Sequence, residues 1–187
     1  MQKVFIYIIL TLLSLTGFSQ NKSKLLQDTL IWSSDYELSK SDFQAKAKKG
    51  YAGMAYTFIY LYTKEENGDI VFVVETVLSK SKSFLSGDSD YEFKHEKGHF
   101  DLCEVYARKL RQKIMKKNFL KVKNIRKEIT DMYKQINEDL KDEQEKYDTQ
   151  TEHSMNMAQQ KKWIDKIATE LSELDQYSDT IVSVVNK

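Results

Sequence analysis

The stretch HEKGHFDLCEVYARKL, residues 95–110, decides how this chain is read. Its first five residues, His95-Glu96-Lys97-Gly98-His99, form an H-E-x-x-H motif and hold two of the three histidines in the chain. On a helix the i, i+4 spacing puts both imidazoles on one face, one turn apart, where they can share a metal ion. With His95 set at 0° and about 100° per residue, His99 falls at about 40° and Glu96 at about 100°. Phe100, Leu102, Cys103, Tyr106, Ala107, Leu110 and Ile114 share that broad face, while Lys97, Asp101, Arg108 and Gln112 fall on the other. A helix buries its apolar face, so three polar groups are expected inside, and buried polar groups need partners. A metal ion is one such partner. The plainer reading is a hydrogen-bonded pair of core histidines with Glu96 in a salt bridge. In zinc hydrolases with this motif the imidazoles hold the metal and the glutamate takes a proton from the metal-bound water.

Outward from the motif, the chain reads as α+β. Met54 to Tyr62 alternates, with Met54, Tyr56, Phe58, Tyr60 and Tyr62 on one face, and Ile70 to Ser79 is rich in β-branched residues. Glu65-Glu66-Asn67-Gly68-Asp69 between them is a hairpin turn. Leu30-Ile31-Trp32 reads as a short strand, Ser39 to Phe43 as a turn or helix start, and Ala45 to Gly53 as a loop. The motif helix is expected to begin after a cap within Ser86–Asp90 and to run to about Asn118. A second amphipathic helix carries Val122, Ile125, Ile129, Met132, Ile136 and Leu140, with a solvated Lys/Glu face. Helical patterning lapses over Tyr147–Ser154. A last helix carries Trp163, Ile164, Ile167, Leu171 and Leu174, and Ile181 to Val185 forms an edge strand or frays. An antiparallel hairpin and sheet on a motif helix, with further C-terminal helices, is the layout of a zincin-like fold.

Residues 1–19 read as a cleavable signal peptide: Lys3 starts it, Val4 to Leu15 is an apolar core, and Gly17 and Ser19 are the small residues before the cleavage point. The apolar run is short for a transmembrane helix and lacks the flanks of one, and an uncleaved N-terminal anchor is the alternative reading. Residues 20–187 then form one domain, secreted or periplasmic, with no integral membrane span after cleavage. With 29 basic and 28 acidic residues, charge gives no case for a nucleic-acid partner. The single cysteine, Cys103, excludes an intrachain disulfide, and its place on the apolar helix face suggests an inert thiol.

A catalytic zinc needs a third ligand. Asp101 and Glu104 lie at about 240° and 180° on the wheel, away from the histidines, and pair with Arg108 as a structural ion cluster. Glu128, Glu138 and Glu143 on the next helix look like surface charges. The reading taken is His153 as third ligand, from a loop folded back on the motif helix. Asp148 would orient a ligand imidazole from behind, and Tyr147 would donate to the oxyanion.

The motif, its flanks and their order resemble a bacterial family of predicted secreted zinc-dependent proteases, catalogued as a domain of unknown function. The resembling pieces are Ile31-Trp32, Leu38 with Ser41-Asp42-Phe43-Gln44, Ser81-Lys82-Ser83-Phe84, His95 to Asp101, Glu104 to Arg108, Tyr147-Asp148 through Thr151 and His153, and Gln160 with Trp163. The family usually has Trp where Phe84 stands and Gly where Ser154 stands. The resemblance implies export, a zinc site and peptidase chemistry, with His95, Glu96, His99 and His153 at its motif positions and Asp101 and Glu104 in its pattern. The expected function is an exported Zn2+ metallopeptidase acting on peptide or protein substrates, with Glu96 as general base. The rivals are a zinc amidase acting on cell-wall peptides and a non-catalytic zinc-containing binding protein.

Overall fold

In the computed structural model, described for residues 28–66 and 69–183, the chain is α+β. Its strands are β1 (Thr29–Ile31), β2 (Gly53–Met54), β3 (Thr57–Glu66), β4 (Asp69–Ser79), β5 (Phe84–Leu85) and β6 (Ile181–Val182). Its helices are α1 (Asp90–Lys116), α2 (Ile125–Thr151) and α3 (Met157–Glu173), with single turns of 3-10 helix at Lys40–Asp42, Lys80–Lys82 and Asp175–Tyr177. The expected signal peptide and the Asn67-Gly68 centre of the hairpin turn lie outside the described residues, as do Val184 and Val185 of the C-terminal tail. Among the described residues no helix is long and apolar enough to cross a membrane.

β4 is the centre of the main sheet. It pairs antiparallel with all of β3 along one edge and with β1 and β6 in succession along the other. β2 and β5 form a separate antiparallel pair. The alternation in β3 is read correctly as a strand, but the aromatic set is not the face that meets the helices. Ile59 and Leu61 turn inward, opposite Thr76 and Val74 of β4, and Ile59 and Val74 are buried in the main core. Tyr56, Phe58, Tyr60 and Tyr62 stay half-buried on the other face.

α1 is the middle of the molecule, with the sheet, α2 and α3 all packed on it. Its start is fixed by Ser89, whose hydroxyl accepts the Glu92 N–H, with Asp90 and Glu92 in the first turn where the helix dipole favours negative charge. α2 starts the same way at Asn124, which accepts the Lys127 N–H. α1 and α2 are each 27 residues long, about 40 Å at 1.5 Å per residue. They form an antiparallel pair, so the far end of α2 returns to the motif end of α1. The apolar stripe of α2 runs through Ile129, Tyr133, Ile136 and Leu140 and continues, buried, through Tyr147 and Thr151. The helix therefore does not lapse at Tyr147 as the pattern suggested. It ends at Thr151, where the Glu152 N–H caps the carbonyls of Asp148 and Thr149.

Because α1 is covered on several sides, the simple wheel fails for its second half. Arg108, assigned to the solvated side, is 3% exposed and Arg111 is fully buried. Both reach Glu104, at 3.0 and 2.9 Å, and Thr76 Oγ1 donates to the same carboxylate at 2.7 Å. Arg111 also donates to the Val74 and Tyr177 carbonyls, which ties the helix to the sheet and to the C-terminal turn. The expected ion cluster thus exists around Glu104, with Arg111 added. Asp101 belongs elsewhere: it accepts the Trp32 indole N–H at 2.9 Å and the Lys97 ammonium.

Candidate metal centre

Two helix ends make the site. The first turns of α1 present His95, Glu96 and His99, and the last turn of α2 presents Tyr147, Asp148 and Thr151. Asp148 and His95 lie almost equally far from the α1–α2 connection, so the antiparallel pair sets them opposite each other. Asp148 Oδ1 sits 3.2 Å from His95 Nε2 and 2.9 Å from His99 Nε2. One ligand atom from each of the three residues lies within 4.8 Å of the others, and His95 and His99 are buried with Asp148 partly so. This group is able to hold a metal ion. Two imidazole nitrogens and one carboxylate oxygen are the donor types that zinc accepts, and three protein ligands leave one position open.

Burial shapes the charges. It would raise the Asp148 carboxyl, but His99 and His95 hold it well below the usual carboxylate range. Burial lowers the His95 imidazole. The same desolvation acts on His99, where Asp148 outweighs it and leaves the pKa raised. Glu96 is the most frustrated group: burial pushes it up to about 7, against the pull of His99 and of the Ala55 N–H. That N–H, just past β2, donates to Glu96 Oε2 at 2.6 Å. A Cβ built on Gly53 would stand 2.8 Å from Glu96 Oε1, so glycine lets β2 approach the carboxylate.

The sequence-predicted residues are therefore distributed as follows. His95 and His99 converge on one point, with Glu96 beside them. Asp148, expected behind a ligand imidazole, instead faces both ring nitrogens directly and takes the third place in the group. His153, expected in that place, lies outside it. Its side chain is 57% exposed and its Nδ1 is 3.8 Å from Asp148 Oδ1, beyond hydrogen-bond length. The reason is the turn after α2: Glu152, His153 and Ser154 all have left-handed backbones, with φ of 51°, 50° and 75°. That turn bonds the His153 N–H back to the Asp148 carbonyl at 2.9 Å and leaves the imidazole at the rim. Ser154 holds a conformation that glycine adopts without steric cost.

Tyr147 also lies elsewhere than expected. It is fully buried, stacks on the His95 ring with centroids 4.6 Å apart, and donates its hydroxyl to the His95 carbonyl at 3.2 Å. It is a floor under the histidines, not a group facing an open cleft. Sequence reading passed over Gly98, yet a Cβ there would stand 2.9 Å from Tyr147 Cζ. The glycine inside the motif is what lets the tyrosine ring lie against the helix. Cys103 is fully buried and burial pushes its thiol far above the ordinary range, which bars a nucleophilic role.

A family model described as "Bacterial protein of unknown function (DUF922)" matches residues 91–154. The matched segment begins in the first turn of α1 and ends at the left-handed turn, so it spans both halves of the His95–His99–Asp148 group. The match supports membership of a bacterial family of unknown function, and its description names no activity. No curated protein and no solved structure matches the chain.

Proposed function

We propose that this chain is an exported zinc-dependent hydrolase of zincin-like architecture that cleaves peptide bonds, with His95, His99 and Asp148 as the zinc ligands. The observation that carries the reading is the convergence of these three donors beside a buried glutamate next in sequence to the first histidine. When bound, zinc supplies Lewis acidity, lowering the pKa of a coordinated water and polarising a carbonyl. The protein supplies the rest. Burial raises the Glu96 pKa to about 7, which makes its carboxylate a stronger base than an exposed one and suits a group that must take a proton and give it back. It removes a proton from the attacking water and returns it to the leaving nitrogen. The Ala55 N–H fixes one carboxylate oxygen, leaving Oε1 for the water. Asp148 would neutralise part of the cation's charge, and the Tyr147 ring, stacked on His95, fixes the orientation of that imidazole.

A peptide substrate is favoured by the strand beside the site. Among the described residues β2 pairs only with β5, and the backbone just past it already bonds Glu96. An extended chain laid along a free strand edge gains main-chain hydrogen bonds, which brings a scissile carbonyl toward the ligand group. Export rests on the apolar segment near the N-terminus.

The test is cleavage of an unfolded protein substrate by zinc-loaded wild type and Glu96→Gln. Loss of cleavage in the variant, with zinc retained, supports the reading. Zinc bound without cleavage of proteins or peptides in the wild type turns it toward amidase or binding roles.

A further inference from the structure

The ring of His95 meets hydrogen-bond acceptors on both sides. On its Nε2 side stands Asp148 Oδ1 at 3.2 Å. On its Nδ1 side stands Thr151 Oγ1 at 3.5 Å. The Thr151 hydroxyl has only one proton, and it points back along α2 to the Tyr147 carbonyl at 2.7 Å. Its oxygen therefore has only lone pairs to offer the imidazole. A second acceptor comes from α3. Gln160 lies in the first turn of that helix, 1% exposed, and its Nε2 donates to the Tyr91 carbonyl at 3.1 Å. A carbonyl only accepts, so this bond settles which end of the amide is which. It leaves Gln160 Oε1 buried, with no completed hydrogen bond among the described residues, on a side chain that reaches the His95 ring.

A neutral imidazole carries one N–H and one lone pair. Acceptors at both nitrogens cannot both be served by one proton. A ring protonated on both nitrogens would serve them but would keep no lone pair for a metal. The conflict is relieved when the proton sits on Nδ1 and a cation takes its place between Nε2 and Asp148.

We propose that Thr151 and Gln160 are positioning residues that hold the proton of His95 on Nδ1 and so present its Nε2 lone pair to the metal. The two act through His95 and touch neither metal nor substrate. This rests on the ligand set proposed above. It also explains why a polar Gln160 is sealed beneath the site: α3 carries the acceptor, and its N-terminal turn is set by the Asn156 side chain, which accepts the Gln159 N–H at 3.1 Å.

The experiment pairs two readouts. The first is Zn2+ affinity, by competition with a chelating dye, for wild type, Thr151→Val, Gln160→Met, the double variant and Gln160→Glu. The second is the 15N NMR signature of the His95 ring in chelator-treated and zinc-loaded protein, with circular dichroism as the check on folding. The expected result is a proton on Nδ1 of the wild-type ring and a loss of zinc affinity of about 10–100-fold in the folded double variant, the range for groups behind a ligand. Gln160→Glu, a stronger acceptor, should bind zinc at least as tightly as wild type. A ring with bare Nδ1, or a folded double variant within about twofold of wild-type affinity, overturns the proposal even if zinc binds. If no variant binds zinc but the Nδ1 proton is present and lost in the double variant, the positioning role stands and the zinc reading fails.

Discussion

α1 buries charge twice within three turns, and the two places are built on opposite terms. Around Glu104 the carboxylate meets two guanidiniums and a hydroxyl, and Arg111 meets backbone carbonyls as well. Every charge has an opposite charge at hydrogen-bond distance. Around Glu96 and Asp148 two carboxylates face two imidazoles, and among the described residues neither pairs with a Lys or Arg. Glu96 is left with one backbone N–H and a pKa pushed to about 7. A buried network whose charges are all paired specifies a fold, whereas buried carboxylate and imidazole donors converging on one point are able to hold a metal ion. The same helix thus carries a closed cluster that holds the sheet and an open cluster suited to chemistry.

The sharpest break of this comparison is made on the closed side. Replacing Glu104 with Leu leaves Arg111 buried without its anion and should cost about 3–5 kcal/mol of stability, read by denaturant unfolding. Glu96→Gln, the parallel change on the open side, should do the reverse in chelator-treated protein. The folded pKa of Glu96 lies above its ordinary value of 4.5, so the folded state binds this proton more tightly. Stability from this group is present below pH 4.5 and is lost as pH rises through about 7. The loss approaches about 3 kcal/mol, and Glu96→Gln should abolish that slope in a pH series of unfolding curves. In the zinc-loaded protein the same variant should cut kcat by about 10²–10⁴-fold with zinc retained.

Smaller effects sharpen how the open cluster is built. Gly98→Ala sets a methyl against the Tyr147 ring and should cost about 1–3 kcal/mol, visible as a lower Tm. Ser154→Gly removes a steric cost at φ 75° and should add about 1 kcal/mol, without altering metal binding. A fall in zinc affinity in Ser154→Gly would show that the left-handed turn presents His153 to the metal after all.

Much of this was legible in the chain. The H-E-x-x-H spacing, the Ser89 region cap, the β3–β4 hairpin and the presence of two long helices all follow from local pattern. The third member of the group did not. Tyr147-Asp148-Thr149-Gln150-Thr151 looks polar enough to end a helix, but Tyr147 and Thr151 continue the buried stripe at i, i+4. Reading the helix on through Thr151 sets Asp148 opposite His95 and removes the need for a loop histidine. Arg108 was misread, and Arg111 not read at all, for a related reason: a wheel assumes one buried face, and α1 is covered on several. Part of the resemblance proves to be scaffold chemistry. Trp32 donates to Asp101, Asp42 takes the Ser39 N–H and the Tyr36 hydroxyl, and Ser83 bridges the Ser79 carbonyl and the Tyr56 N–H.

The most direct measurement is metal content of the purified protein beside Asp148→Asn and His153→Ala. Asp148→Asn keeps size and shape and removes only the charge that the open cluster offers. The expected result is one zinc per chain in wild type and in His153→Ala, and none in Asp148→Asn. Zinc kept by Asp148→Asn and lost by His153→Ala would contradict the ligand set drawn here, and no zinc in the wild type would contradict the metal centre itself.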